Sequence, residues 1–301
     1  MKRQKGEDGF MEQFRYNDTL NKLEIDPVFI EKGLLEAKKR KLDKIKIVPL
    51  NHFQEYGFAS SKELQKFKLD TSFFKEYNFI KSLQLDEYIG LTDESVKGLY
   101  ELTSLEEFGF ENTTVKPDLA NFPLLETLWF KYNDGVKNIS ALKKLKDLLL
   151  ISLKTKDCSH LKGLEHLEML RLSGGTFTSI DGVENFKIKR LDIDHNSKVE
   201  NIEAIKYLPA LEILNIEKCK NIQDYGFLAG NKSIKNLFID SLDSLSFVPA
   251  MEKLEKINFW DCKDGNMAYL LESKSLTSIS FPQDKKHYTH KLGEIFSLRK
   301  K

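Results

Sequence analysis

Residues 167–172 read LEMLRL, 188–193 IKRLDI, 211–216 LEILNI, 234–239 IKNLFI, 254–259 LEKINF and 276–281 LTSISF. Each hexamer is apolar at its first, fourth and sixth positions. The same spacing occurs upstream in 105–110 LEEFGF, 125–130 LETLWF and 145–150 LKDLLL, and more weakly in 42–47 LDKIKI, 64–69 LQKFKL and 80–85 IKSLQL. The fourth and sixth residues stand two apart, so on a short strand both point to the same side. The copies recur from residue 42 to residue 276 at an average of about 21 residues. Steps of 16 and then 25 residues around Ile80 break the rhythm and mark 80–85 as the weakest copy.

Between the hexamers apolar residues step by three, as in Ile139/Leu142/Leu145, Leu161/Leu164/Leu167 and Ile202/Ile205/Leu208. That period predicts 3₁₀ segments or single helical turns, because a full α-helix repeats at about 3.6 residues. The ninth position, where the chain turns off the strand, holds Asn133, Asn196, Cys219 and Cys262 in four copies. Side chains of these types can bond backbone groups that the turn leaves unpaired. Leu153, Gly175, Leu242 and Thr113 occupy the position elsewhere, so the polar ladder is incomplete.

Over roughly residues 42–285 this LxxLxLxxN pattern resembles the leucine-rich-repeat family, and the short unit is similar to that of bacterial internalins and leucine-rich phosphatase regulators. The resemblance implies an α/β fold. It would be a right-handed solenoid, horseshoe-shaped, with a parallel sheet on the concave side, short 3₁₀ or helical segments on the convex side and a cap at each end. The 301 residues then read as one solenoid of about twelve turns and not as two domains. Residues 11–41 are expected to form the N-terminal cap: a hairpin around Asn17-Asp18, then a helix begun by Pro27 with Leu34, Leu35 and Ala37 facing inward. Residues 286–301 are expected to form the C-terminal cap, and residues 1–10 to be disordered.

The 47 Lys and Arg residues nearly cancel the 46 Asp and Glu, leaving a net charge of +1. A chain so balanced lacks the concentrated positive field that general affinity for nucleic acid or an anionic membrane requires. No apolar stretch follows the basic start MKRQKGEDGF, and apolar runs such as Leu148 to Ile151 are far too short to span a bilayer. Three cysteines, Cys158, Cys219 and Cys262, suit a reducing compartment better than a disulfide framework. These features predict a cytoplasmic protein. Its Lys/Ile/Asn/Phe-rich composition points to a bacterial source. The sequons at Asn112 and Asn138 are then chance matches.

Signatures of chemistry are absent: the sequence contains no phosphate loop, no GxSxG, no HExxH and no paired CxxC. His287-x-x-His290 has no cysteine or carboxylate at ligand spacing beside it. Asp157-Cys158-Ser159-His160 brings a thiol near an imidazole, but in a turn between repeats. Neither motif predicts a catalytic, metal or cofactor site, so a non-enzymatic protein is expected.

The repeat frame identifies the residues left for function. Positions three, five and seven alternate with the buried ones and face away from the core. The seventh-position column reads Val48, Asp70, Asp86, Glu111, Lys131, Ile151, Ser173, Asp194, Glu217, Asp240, Trp260 and Pro282, which is half acidic. Asp194, Glu217 and Asp240 form an acidic run, open either to a basic partner or to neutralisation by Arg171, Arg190 and Lys256 on the same face. Trp129, Leu149, Ile151 and Met169, with Tyr132 one place beyond, put large apolar groups where solvent is expected, the mark of an interaction patch. Phe238 and Trp260 make a second aromatic pair, and Lys44, Lys46, Lys66 and Lys68 a basic strip on the first two strands. The expected function is binding of a folded protein partner, a basic one where the acidic run takes part, as an inhibitor or immunity protein in its most specific form. An exported internalin-like adhesin is the alternative. An apolar face also suits a second copy of the chain.

Overall fold

The computed structural model describes residues 11–299 apart from 65, 67, 112, 113 and 185, so the first ten residues, the sequon at Asn112 and the ninth-position Thr113 lie outside the described residues. The chain divides into two compact units, with the boundary in sequence between Lys144 and Leu145.

In the first unit, β1 (Phe14–Asn17) and β2 (Lys22–Ile25) form an antiparallel hairpin with Phe14 opposite Ile25. Four strands follow in chain order, each parallel to the one before: β3 (Lys44–Ile47), β4 (Ser82–Leu85), β5 (Glu107–Phe110) and β6 (Thr127–Lys131). Pro27–Phe29 is a 3₁₀ turn capped by Asp26, and it leads into α1 (Ile30–Arg40). Leu34 and Ala37 are buried, but Leu35 is 54% exposed and faces away from the core, contrary to the sequence expectation. It lies about 100° round the axis from Leu34, past the edge of the buried stripe of Ile30, Gly33, Leu34 and Ala37.

The copy at 64–69 supplies no strand among the described residues, and β3 pairs directly with β4. Leu64 instead ends a helical turn, α2 (Ser61–Leu64), and Lys68 forms an isolated bridge to Gly90. The reason is local. Ser60 Oγ accepts from Glu63 N (3.4 Å), and Glu63 returns its carboxylate to Ala59 N (2.5 Å), a variant of the capping box that starts a helix. The copy at 80–85, the weakest by spacing, carries β4. A further helix, α3 (Asp93–Leu99), has Thr92 as its N-cap.

In the second unit the ladder runs β7 (Asp147–Leu153), β8 (Met169–Gly175), β9 (Arg190–Asp194), β10 (Ile213–Glu217), β11 (Asn236–Leu242), β12 (Lys256–Cys262) and β13 (Ser278–Ser280), all parallel and all in chain order. The segments that step by three are 3₁₀ turns, including Ser159–Leu161, Glu203–Tyr207, Gly226–Leu228 and Val248–Ala250. Two short helices, α4 (Ala268–Glu272) and α5 (Leu292–Arg299), pack together after β12. The Arg299 guanidinium donates to the carbonyls of Leu270, Ser273 and Leu276.

First, fourth and sixth positions build the core. Leu125, Leu128 and Phe130 in the first unit, and Leu167, Leu170 and Leu172 in the second, have no exposed surface. Full burial of one such side chain is worth about 1.5–3 kcal/mol, so regular stacking supplies most of the stability. Phe108, Phe110 and Phe130 stack in series, with centroids 4.9 and 5.4 Å apart. Asn196, fully buried at a ninth position, donates to Phe177 O (3.0 Å) and accepts from Lys198 N and Val199 N. Asn133 makes the same kind of bracket with Val115 O and Gly135 N. Among the described residues no helix is long and apolar enough to cross a membrane.

Candidate functional site

Alternation along each strand sets the third, fifth and seventh residues on the face opposite the core. Trp129 stands on that face in the first unit, opposite Gly109 of β5. A Cβ on Gly109 would lie 1.8 Å from Trp129 Cε2 and 2.0 Å from Nε1, so the indole rests directly on the bare glycine backbone. That contact leaves Trp129 half-buried and holds its ring in place. Gly109 escaped the sequence reading, although its signal was present: a glycine in the column position beside a tryptophan. Tyr132 is not part of this face. Its ring stacks on the core residue Phe130 at 6.3 Å, and burial, with Asp134 nearby, pushes its hydroxyl above the ordinary value.

Leu149, Ile151 and Met169 share the same kind of face in the second unit, and all three are half-buried. Met169 lies opposite Asp147, while Leu149 faces Arg171 and Ile151 faces Ser173. The apolar group is therefore small and edged by polar partners.

Asp194 and Glu217 sit directly opposite one another, and Asp240 follows on the next strand. Arg171 and Arg190, two of the three cations the sequence offered for this run, are engaged elsewhere. Arg171 turns back to Asp147 (3.1 Å), and Arg190 is committed to Asp192 (2.9 Å). The groups that meet the run are His195 and Lys218, one place beyond the strand face. His195 Nδ1 meets Asp194 Oδ1 at 2.7 Å, and its Nε2 meets Lys218 Nζ at 2.9 Å. Lys218 Nζ also lies 3.4 Å from Glu217 Oε1. Both residues adopt positive φ (53° each), as do Ser152 and Gly174 at the same position of the two preceding repeats. This left-handed turn carries the two side chains back over the acidic row, a geometry the hexamer pattern did not signal. Asp240 is different: among the described residues its oxygens accept only the backbone amides of Lys218 and Ser241, both at 2.8 Å.

Beside Asp240, Phe238 and Trp260 meet edge to face, with centroids 5.5 Å apart and planes at 63°. Trp260 is 44% exposed. It is the most exposed aromatic on the strand faces of this unit, and so outranks the apolar group at Leu149 that the sequence favoured.

The basic strip changes most. Lys66 and Lys68 lie off the strands, and Asp70 leaves the acidic column with them. Lys46 approaches buried Glu24 (3.8 Å), which also binds Arg15 (2.8 Å). Buried Lys22 reaches Glu107 at 2.7 Å. Burial pushes the Glu107 carboxyl up, but the hydrogen bond and charge of Lys22, with Ser82 and Lys44, outweigh it and hold the group below the usual carboxylate range. Asp86 and Glu111 shift the other way: burial raises both, and Glu87 adds to each.

The possible chemical groups are occupied structurally. Burial pushes the Cys158 thiol up and the His160 imidazole down, the opposite of what a thiolate–imidazolium pair needs. Cys219 and Cys262 are buried free thiols, pushed up to about 11 and about 12 chiefly by burial. His287 Nε2 is engaged by the Cys262 carbonyl (3.1 Å), whereas His290 Nδ1 meets Thr289, so the two rings have separate partners. No group of three or more potential metal ligands occurs among the described residues.

No family model and no curated protein matches the chain. Among solved structures, an internalin of Listeria monocytogenes aligns with a TM-score of 0.52 at 18% identity, over 80% of this chain and 87% of that one. A leucine-rich-repeat protein of Leptospira interrogans aligns over 93% of this chain and 87% of that one, at 15% identity and a TM-score of 0.48. The internalin match and the parallel ladders agree on the fold: this chain has the leucine-rich-repeat fold, with open parallel sheet, short helices and 3₁₀ turns.

Proposed function

We propose that the chain is a non-enzymatic interaction module that holds a folded protein partner on the outer face of its strands, working in the cytoplasm. The observation that carries this reading is the set of large apolar side chains, Leu149, Ile151 and Met169 with Phe238 and Trp260, on strand positions that alternate with the core. Apolar anchors within a polar rim are the usual centres of binding energy at protein interfaces. Trp129, seated on Gly109, gives the first unit an anchor of its own. Acidic neighbours would speed encounter with a basic partner more than they add affinity. Three buried free thiols suit a reducing compartment.

The test is capture of a partner from source-cell lysate, followed by its identification and purification. Ile151→Glu and Trp129→Glu, separately and together, should weaken binding of that purified partner; the unfolding midpoint should stay nearly unchanged for Ile151→Glu and fall where the indole seated on Gly109 is lost. Undiminished binding by the folded double variant sinks the reading. Inhibition is the finer form of the proposal: the partner would be a basic enzyme that this chain masks. Full activity of the partner at saturating binding removes that form and leaves the interaction module standing.

A further inference from the structure

On the second unit's strand face, Asp194, Glu217, Asp240 and Trp260 stand side by side on successive strands, about 4.8 Å apart. The pairs Ile239 with Phe259 and Ser241 with Asp261 fix the last step, setting Asp240 next to Trp260. Asp194 has a partner in the His195 ring, and Glu217 a counter-ion in Lys218. Asp240 has no ion pair among the described residues; its two oxygens receive only backbone amides. Nearby lysines are committed elsewhere, Lys263 to Asp243 and Lys285 to Asp261, each at 2.7 Å.

We propose that Asp240, Trp260 and Phe238 form a seat for an arginine side chain carried on a basic segment of a protein partner. A guanidinium is planar, weakly hydrated and always charged, so one group can stack on an indole and pair with a carboxylate. Phe238 braces the indole edge to face, which keeps Trp260 presented although it is 44% exposed. The field of Asp240 already reaches inward: after burial, it is among the causes that raise the Cys219 thiol and the Tyr225 hydroxyl. An incoming cation would meet that uncompensated charge. A lysine would satisfy the carboxylate but stack less well, and a polyanion such as RNA would be repelled.

The inference deepens the interaction-module reading and rests on it, but it is tested without the natural partner. The full chain carrying Trp129→Phe leaves Trp260 as the only tryptophan, so its emission reports this site alone. Titration with acetyl-hexaarginine amide should change that emission saturably. Hexalysine should bind at least threefold more weakly, and hexaglutamate or a single-stranded RNA hexamer should leave the emission unchanged. Asp240→Asn removes the charge, keeps one of the two backbone hydrogen bonds and should weaken hexaarginine binding at least fivefold. Trp260→Leu, followed by calorimetry, should weaken it similarly, with the unfolding midpoint checked for both. Failure of hexaarginine to saturate the site by millimolar concentration overturns the proposal, as does binding that ignores both substitutions or RNA binding at Trp260. A chain that takes its partner through Trp129 or Ile151 alone would fail here and still pass the capture test.

Discussion

Gly109→Ala is the most informative single change. The new methyl would overlap three atoms of the Trp129 ring, at 1.8, 2.0 and 2.3 Å, where contact requires more than 3 Å. The strand is held on both sides, Gly109 opposite Gln84 and Trp129, so the ring must move before the backbone does. Lifting an indole off its support uncovers about 100 Å² of apolar surface, roughly half of what a large aromatic buries, or about 2.5 kcal/mol. Replacing glycine in a strand returns about 0.5–1 kcal/mol through lower unfolded-state entropy. The net loss should be about 1.5–2 kcal/mol. The assay is fluorescence in a Trp260→Phe background, where Trp129 is the sole tryptophan. Alanine should shift the emission to the red and increase quenching by acrylamide. In a Trp129→Ala background the same glycine substitution should become neutral or stabilising, since nothing remains to collide with. Unchanged emission together with an unchanged unfolding midpoint would refute the seat.

Three further outcomes follow from the charged and polar groups. Glu107→Gln leaves buried Lys22 without its counter-ion and should cost about 2 kcal/mol in denaturant unfolding at pH 7, because Glu107 itself is partly solvated. The stability Glu107 contributes is present above the unfolded carboxylate value and fades as pH falls through its lower folded one, so the wild type's advantage should shrink toward pH 3. Asp86→Asn has the opposite sign. A carboxyl raised by folding contributes stability below its unfolded value and loses it as pH rises through the folded one, so the amide should raise the midpoint at pH 7 and not at pH 3. Asn196→Ala strands three backbone groups, those of Phe177 and Val199 buried, and should cost about 2–4 kcal/mol, clearly more than Asn133→Ala at a half-buried bracket.

Hexamer spacing made the fold readable because strand alternation and a fixed turn tie residue identity directly to burial. It misplaced 64–69 for a definite reason: Leu64 and Leu69 are buried as a strand would bury them, but the capping box at Ser60 and Glu63 commits the preceding turn to a helix. Apolar spacing cannot distinguish those cases, whereas capping residues can. On the strand faces the columns were right about neighbours and wrong about partners. Register fixes which Cα atoms are adjacent, but a long side chain reaches across strands, as Lys22 does from β2 to Glu107 on β5. The roles of His195 and Lys218 depended on backbone handedness one residue beyond the hexamer, which a pattern of apolar positions does not encode.

That handedness carries a consequence for anyone regularising the repeat. Serine, histidine and lysine in a left-handed turn cost about 1 kcal/mol each relative to glycine, so a consensus repeat would favour the residue already found at Gly174. Substituting glycine at 195 and 218 would relax the backbone and remove the imidazole set against Asp194 and the ammonium set against Glu217. The idealised chain would be easier to bend into shape and harder to keep in low salt. Conformational strain in these two turns and charge repulsion along the row are thus alternatives, and the natural sequence accepts the first.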